Sequence, residues 1–197
     1  MPAKDTKTTQ KRAYHRTSET QKVIFDKAME LMSEKGFQGT TVREICAASD
    51  ISIGTFYNCY KSKMDILKPV YDEGDEYFDS IRGGFEGKDA ITQLHMFGEC
   101  YARLNINTGI DVMRVLFYPM NEWFVQTRPM QELLMKIVST GQDRGELRAD
   151  QDAEHVVRYI FDVLHGVCYN WCVYDGGFDI VERIDEHINL LCSALKA

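Results

Sequence analysis

The stretch TTVREICAASDISIGTFYNCYKSK, residues 40–63, decides the fold of this chain. Its last eight residues crowd together one phenylalanine, two tyrosines and two lysines. A protein core excludes unpaired lysines, and large aromatic side chains are usually at least partly buried. The stretch therefore predicts a short element that packs one side on a core and offers the other side to a charged partner.

Capping residues divide the surrounding sequence into short helices. Ser18–Gln21 predicts a capping box at the start of a first helix, and Gly36 predicts its end. Thr41–Glu44 predicts a second capping box, and Asp50 tolerates the left-handed backbone of the turn that follows. Ser52 is expected to cap a third short helix. Three short helices, the last two separated by a tight turn, indicate a helix-turn-helix.

The third helix has two unlike sides. Phe56 and Tyr60 are predicted to face the small core, while Tyr57, Asn58 and Lys61 face outward. Outward amides, hydroxyls and cations are the groups that bind phosphate oxygens and base edges. The third helix is therefore the predicted recognition helix of a DNA-binding domain.

The same stretch resembles the DNA-binding segment of the TetR family of transcriptional regulators. That family's usual pattern is a Thr-Thr or Thr-Val helix start, a Ser-x-Gly-Thr-x-Tyr recognition helix, and then an aromatic residue and Ser-Lys. The match covers residues 18 to about 70. The residues that the resemblance implies for DNA binding are Thr41, Arg43, Ser52, Ile53, Gly54, Thr55, Tyr57, Asn58, Lys61 and Lys63.

The resemblance also implies separate roles for these residues. Tyr57 and Lys63 match usual phosphate contacts, and Asn58 lies at a variable base-reading position. Ile53 cannot hydrogen-bond a base, so its contact would be apolar, for example with a thymine methyl group. Simpler interpretations stay open: Tyr57 packs on the core, Lys63 caps the next helix, and Arg43 pairs with a neighbouring glutamate.

Two positions depart from the family pattern. Cys59 stands where a His or Tyr commonly contacts phosphate, and Asp50 replaces the usual glycine of the turn. Cys59 would weaken one backbone contact, and Asp50 places a negative charge on the DNA side.

Charge is distributed unevenly along the chain. The formal net charge is −7, but residues 1–68 carry +4 and residues 69–197 carry −11. This asymmetry favours a polyanionic partner for the N-terminal part alone. Residues 1–17 are predicted to be a basic, flexible arm that either enters a minor groove or is merely a solvated leader.

The remaining composition excludes several classes of protein. The sequence has neither a transmembrane run nor a secretory leader, so a cytoplasmic location is expected, with the six cysteines as thiols and no membrane partner. It contains no P-loop, dinucleotide-binding turn or nucleophile elbow, so no enzyme activity and no cofactor are predicted. The acids at residues 72–76 are interpreted as a solvated helix face.

The acidic part is predicted to be helical to its end, with helices at residues 88–107, 110–118, 128–143, 152–174 and 178–195. No alternating strand pattern is convincing, so the fold class is all-α: an N-terminal three-helix helix-turn-helix domain joined to a C-terminal helical bundle that dimerises. The predicted domains are residues 18–62 for DNA binding and residues 63–197 for ligand binding and dimerisation.

The last two helices are unusually apolar, which favours a four-helix interface between two copies of the chain. Part of each apolar stripe must also close the core of one subunit. The predicted interface residues are Val157, Leu164, Cys168, Trp171, Ile184, Ile188 and Leu191.

The family resemblance implies a small-molecule pocket inside the helical bundle, and the many aromatic residues there suit an apolar or planar ligand. Most of these residues would be ordinary core. The predicted lining is Phe97, Tyr101, Phe117, Tyr118, Trp123, Phe161, His165 and Tyr169.

The sequence thus predicts a homodimeric repressor that a small apolar or aromatic effector releases from a palindromic double-stranded operator. His165, Cys168 and Cys172 share one helix face, so a metal- or thiol-sensing regulator is one alternative, although no metal site is predicted. A transcriptional activator is another, because fold does not determine the sign of regulation.

Overall fold

The computed structural model describes residues 6–118, 121 and 128–197, and the side chains from residue 19 onward. This part of the chain is helical apart from one antiparallel bridge between Leu147 and Lys196, which confirms the predicted all-α class. None of the described helices is long and apolar enough to span a membrane. The helices are α1 (Thr6–Gly39), α2 (Val42–Ala48), α3 (Ile53–Cys59), α4 (Lys68–Ile81), α5 (Ala90–Thr108), α6 (Ile110–Leu116), α7 (Pro129–Asp143), α8 (Ala153–Val173) and α9 (Ile180–Leu195), with 3-10 turns at Met64–Leu67 and Arg82–Phe85.

The first compact unit, which ends at Pro69, is built from α1, α2 and α3. Gly36 kinks α1 with a φ of 74°, a left-handed backbone that glycine adopts without strain. Thr41 and Glu44 form the predicted capping box of α2, and Ser52 caps α3. Asp50 takes the predicted left-handed turn between them, with a φ of 52°. The polar residues of this stretch therefore set the helix boundaries as the sequence indicates.

Two boundaries differ from the sequence prediction. α1 begins at Thr6 and runs through Ser18, so the predicted helix start at Ser18 is wrong and residues 6–17 belong to this helix. A Ser-x-x-Gln pattern also fits a helix interior, and the sequence does not distinguish the two. The first unit extends to Pro69, beyond residue 62, because Ile66 and Leu67 are fully buried and the turn that carries them packs on α1.

The second unit, from Val70 onward, has its core between α5, α7, α8 and α9. α5 and α9 are in close contact at Gly98, where a Cβ atom would lie 3.0 Å from both Ile184 and Ile188. The missing side chain lets the two helices pack in close contact. Around this crossing, Phe97 and Phe161 stack edge to face with ring centroids 6.0 Å apart.

Candidate DNA-binding surface and ligand cavity

The outer face of α3 consists of Ile53, Gly54, Tyr57 and Asn58. Ile53 is 44% exposed and Tyr57 is 53% exposed, and both other residues are exposed as well. On the opposite side, Phe56 is fully buried. One large apolar side chain thus anchors the helix and leaves its outer face open, as a helix that enters a DNA groove requires.

Ser52 and Thr55 are engaged with each other at the start of α3. Ser52 Oγ accepts the Thr55 backbone N–H at 3.0 Å, and the two hydroxyl oxygens lie 2.9 Å apart. One of the two hydroxyl protons is used in that contact. The pair therefore has one proton left to donate to a phosphate or a base.

At the start of α2, Thr41 and Arg43 differ in whether their donors are available to DNA. Thr41 donates its backbone N–H and its hydroxyl to Glu44, at 2.8 and 2.9 Å. Lys35 donates to the same carboxylate at 2.8 Å, and these bonds, that of Lys35 first, lower the pKa of Glu44 to about 2. The Thr41 hydroxyl proton is thus already used within the cap. Arg43 is exposed, and no residue of the described chain pairs with its guanidinium, so it is the available donor here.

Lys63 lies in an internal contact. Its Nζ donates to the backbone carbonyls of Phe37 and Thr40, to the latter at 2.6 Å, and lies 4.3 Å from the centre of the Phe37 ring. Lys63 therefore satisfies carbonyls at and just after the end of α1. This contact differs from the interpretation in which Lys63 caps the following helix. Partial burial lowers the pKa of the Lys63 ammonium. Lys61, by contrast, is exposed.

Gln21 fixes the far end of α3, a role that the sequence did not indicate. Its side-chain amide donates to the Cys59 carbonyl at 3.2 Å, and its own carbonyl accepts the Tyr60 hydroxyl at 3.2 Å. Burial raises the pKa of the Cys59 thiol, so this side chain is neutral at the end of the recognition helix. A residue of α1 thus orients α3 through main-chain atoms, which leave no signature in the sequence.

A cavity with a volume of about 90 Å³ lies inside the second unit, between α4, α5, α6, α7 and α8. This is well below the roughly 300–1,000 Å³ of typical ligand pockets, so a ligand has to widen it. Most of its wall is apolar. The apolar lining is Val70, Phe78, Leu104, Met113, Leu116 and Met130.

The polar wall of the cavity joins α4 to the start of α7. Arg128 donates to both carboxylate oxygens of Asp75, through Nε at 2.9 Å and Nη2 at 2.6 Å. Its guanidinium also lies 4.7 Å from the centre of the Tyr71 ring. The Tyr71 hydroxyl accepts a hydrogen bond from Asn121 at 2.8 Å. Asp75 is therefore not part of a solvated charged face, as the sequence analysis interpreted it, because Arg128 reaches it from another helix.

Two further polar groups border the same space. The side-chain oxygen of Gln131 is buried, and no atom of the described residues hydrogen-bonds to it. Burial lowers the pKa of His165 to about 4, so this ring is neutral at pH 7. Among the described lining residues, the only charges at pH 7 are those of Arg128 and Asp75, which neutralise each other.

Only some of the eight predicted pocket residues line the cavity in the described part of the chain. Tyr101 and His165 line the cavity, whereas Phe97 and Phe161 pack in the core outside it. The two phenylalanines were predicted from aromatic character alone, and aromatic residues at this density mostly build a core.

The other four predicted residues lie elsewhere. Phe117 and Tyr118 are half-buried outside the cavity lining, and Tyr169 is 56% exposed, so it belongs to the surface. Trp123 lies outside the described residues. Arg128 lines the cavity but is not among the predicted residues, and its only signal in the sequence is its position directly before a helix-starting proline.

Six of the seven predicted dimer residues are buried in the core of a single chain, in line with the expectation that part of each apolar stripe closes that core. The α8 and α9 seams pack against α5 and α7 within one chain, and an apolar seam in a sequence does not specify whether its partner is in the same chain. Trp171 is half-buried. The buried members are Val157, Leu164, Cys168, Ile184, Ile188 and Leu191.

His165, Cys168 and Cys172 do not assemble into a ligand set. Within the described residues, no group of three or more His, Cys, Asp or Glu side chains could hold a metal ion. Burial raises the pKa of the Cys168 thiol to about 12 and also raises that of Cys172. Both sulfurs are therefore protonated at pH 7, the less reactive form.

Comparison with known families matches the two units separately. Residues 24–70 match the family described as "Bacterial regulatory proteins, tetR family", and residues 126–194 match "YsiA-like protein, C-terminal region". Together these matches cover more than half of the chain. The chain is also 24% identical, over 79% of its length and 82% of the relative's, to an HTH-type transcriptional regulator YvkB of Bacillus subtilis.

Solved structures show the same fold. The chain is similar to FadR of Bacillus subtilis, crystallised with stearoyl-CoA, with a TM-score of 0.70 and 22% identity over 87% of this chain and 97% of that one. It is also similar to FadR of Thermus thermophilus, a repressor crystallised with lauroyl-CoA, with a TM-score of 0.58 and 26% identity over 87% and 92% of the two chains. The exposed recognition helix, the all-helical second unit and these matches agree, and the chain belongs to the TetR family of bacterial transcriptional regulators.

Proposed function

We propose that this chain is a repressor that binds operator DNA as a homodimer and is released by a small molecule with an apolar body. The observation that carries the proposal is the outer face of α3, whose aromatic, amide and aliphatic side chains have no core to cover. Solvent-exposed isoleucine and tyrosine on one short helix are unfavourable unless a partner covers them.

In the proposed complex α3 lies in the major groove. Asn58 is placed to bind an adenine edge, and Ile53 to contact a thymine methyl group. Tyr57, Arg43 and Lys61 would bind phosphates and so set the register without selecting bases. Thr41 and Lys63 act instead through the caps that they complete, because their donors are directed within the chain.

Dimerisation is proposed for the outer surface of α8 and α9, defined by Tyr159, Val163, Gly166, Val173 and Leu190. Four of these positions are exposed, with Leu190 at 72%, and Val163 is a half-buried residue that also packs against the core. A two-fold dimer would bury this surface, and its binding to successive major grooves would require two copies of α3 about 34–36 Å apart.

The effector is proposed to enter the cavity of the second unit. Its apolar lining favours a hydrocarbon body, and the stearoyl-CoA and lauroyl-CoA complexes of the two FadR proteins support a long-chain ligand. Because the cavity is smaller than such a ligand, entry of the ligand has to move helices of the cavity wall. One of these helices is α4, which begins at Lys68 and therefore has its first residues in the first unit. A ligand that favours the widened state would therefore shift the chain away from its DNA-binding state.

The test is fluorescence anisotropy with labelled duplex from the promoter nearest the coding region, at two salt concentrations. Specific binding that weakens steeply with salt is expected, because phosphate contacts release counterions. Tyr57→Phe should weaken binding to every duplex, whereas Asn58→Ala should change the preference between operators. Tyr174→Phe, a control at an exposed tyrosine of the second unit, should behave as wild type. The absence of salt-sensitive binding to any duplex would contradict the proposal.

A further inference from the structure

The buried ion pair in the cavity wall is asymmetric. The Arg128 side chain is only 10% exposed, whereas the Asp75 side chain is 30% exposed. If the pair opens, Asp75 can rotate into water and be rehydrated, but the Arg128 charge stays inside the protein. Burial of an unpaired charge is costly, so any stable opened state has to supply Arg128 with another anion.

The surroundings favour a ligand anion in that position. Arg128 is the only lysine or arginine among the described lining residues, and the apolar residues Met130 and Leu116 border the same cavity. A cationic ligand would meet the Arg128 charge, and a neutral ligand would gain nothing from displacing Asp75. An anionic head group on an apolar tail satisfies both parts of the wall.

A second, independent group points to a polar head at this place. The side-chain oxygen of Gln131, buried and without a hydrogen-bond partner among the described residues, lies in the same wall, three residues after Arg128 at the start of α7. An amide can present either its oxygen or its NH2 group after a half-turn. After that half-turn the Gln131 NH2 group takes the place of the unsatisfied oxygen, and a carboxylate can accept from Arg128 through one of its oxygens and from Gln131 through the other.

We propose that the effector is an amphiphilic carboxylic acid whose carboxylate takes the place of Asp75 on Arg128. This inference rests on the proposed function and specifies the effector class. The exchange frees Asp75, and with it α4 loses its bidentate link to α7. The ligand therefore acts by replacing a contact within the protein, and its tail widens the cavity behind the released helix.

The test compares dodecanoate, dodecan-1-ol and dodecanoyl-CoA below their micellar concentrations, by calorimetric titration of the full chain. On wild type, dodecanoate should bind more tightly than both the alcohol and the thioester. Asp75→Asn removes the competing carboxylate, so dodecanoate affinity should rise about tenfold, the low end for a charge-assisted hydrogen bond, while alcohol affinity stays unchanged. Glu76→Gln, which removes an exposed carboxylate from the same helix, should change neither affinity.

Asp75→Asn leaves Arg128 without its counter-charge, so loss of folding has to be excluded. The double variant Asp75→Asn/Arg128→Gln replaces the pair by two neutral side chains of similar shape and should remove the preference for the acid. An alcohol or thioester that binds wild type as tightly as the acid, or an acid affinity that Asp75→Asn leaves unchanged, would overturn the inference.

Operator anisotropy separates this inference from the proposed function. Release of wild type by dodecan-1-ol with no effect of dodecanoate would overturn the acid class and leave the repressor function intact. A chain that binds dodecanoate as described but no duplex would support the binding site and contradict the repressor.

Discussion

Lys63 illustrates how a side chain that matches a DNA-contact motif can have a structural role. Its ammonium donates to carbonyls at the end of α1 and lies over the Phe37 ring, so much of its hydrogen-bonding capacity is used within the chain. Helix ends leave carbonyls without partners, and a lysine near a helix C-terminus stabilises them. Its effect on DNA affinity is therefore expected to be indirect, through the position of α2 and α3.

Lys63→Met keeps an unbranched apolar stem beside Phe37 but removes the donor. The free energy of unfolding should fall by about 1–3 kcal/mol, the cost of leaving a buried acceptor unsatisfied. Urea unfolding followed by circular dichroism measures this free energy. Tryptophan fluorescence reports on the second unit separately, since Trp123 and Trp171 both belong to that part of the sequence. Lys61→Met, at an exposed lysine, is the control, and an equal loss there would contradict the capping role.

Glu44 gives the first unit a pH dependence. Its pKa falls from 4.5 to about 2 because Lys35 and Thr41 hydrogen-bond the ionised form. Because the folded chain holds this group ionised at lower pH than the unfolded chain does, its contribution to stability is complete above pH 4.5 and is lost as the pH falls toward 2. The free energy of unfolding, measured as a function of pH, should therefore be higher for wild type than for Glu44→Gln near neutral pH. The difference between the two should shrink as the pH falls from 4.5 toward 2. A difference that stays constant down to pH 2 would contradict this assignment.

At the level of the helices, the end of α7 packs very closely on its neighbours. Of the glycines of the second unit, Gly141 leaves the least space for an added Cβ atom. A Cβ atom on Gly141 would lie 2.6 Å from Ala90 Cβ and 2.9 Å from Leu147 Cδ1. Ala90 begins α5, and Leu147 forms the single bridge to Lys196 after α9. Gly141 is thus where three elements meet without room for a side chain.

Gly141→Ala should therefore destabilise the chain, although alanine favours helix over glycine by about 1 kcal/mol. Overpacking costs about 1–3 kcal/mol, and Ala90 Cβ is attached directly to the backbone and cannot rotate away. The net result should be a lower thermal unfolding midpoint by calorimetry. Gly83→Ala, where a Cβ would meet no atom within 4 Å, is the matched control and should show no loss.

For the proposed homodimer, the surface that would form the contact between the two copies is the outer surface of α8 and α9. Leu190 is 72% exposed although the next residue along that helix, Leu191, is 9% exposed and belongs to the core. The seam that the sequence predicted as the interface is used inside each chain, so the proposed dimer is expected to use the opposite side of the same helices. That side combines the exposed Tyr159 with aliphatic side chains, the mixed composition of protein interfaces.

Leu190→Glu should convert the dimer to a monomer without unfolding it, because the side chain is exposed in the single chain and would be buried only between copies. The dimer dissociation constant should rise about tenfold or more, the effect of losing one strong interface contact. Analytical ultracentrifugation measures this constant, and circular dichroism checks the fold.

Ile106→Glu, at an exposed isoleucine of α5 outside that surface, is the control and should leave the dimer intact. Dissociation by Ile106→Glu and not by Leu190→Glu would place the interface elsewhere on the second unit.

Much of the local structure could be predicted from the sequence. The caps at Thr41 and Ser52, the kink at Gly36 and the left-handed Asp50 follow from contacts within a few residues, which the chain order itself specifies. The inward Phe56 and outward Tyr57 follow from helical periodicity in the same way.

The cavity and the choice of interface could not be predicted, for one physical reason. Arg128 and Asp75 are far apart along the chain, and Ile188 meets Gly98 across two helices, so each pair exists only because the helices cross at those points. Periodicity identifies which face of a helix is apolar, but it carries no information on which surface covers that face. The order of residues alone specifies an all-helical chain with an exposed recognition helix. The packing of the helices then determines that the α9 seam faces inward and that the buried Arg128 pairs with the Asp75 carboxylate in the cavity wall.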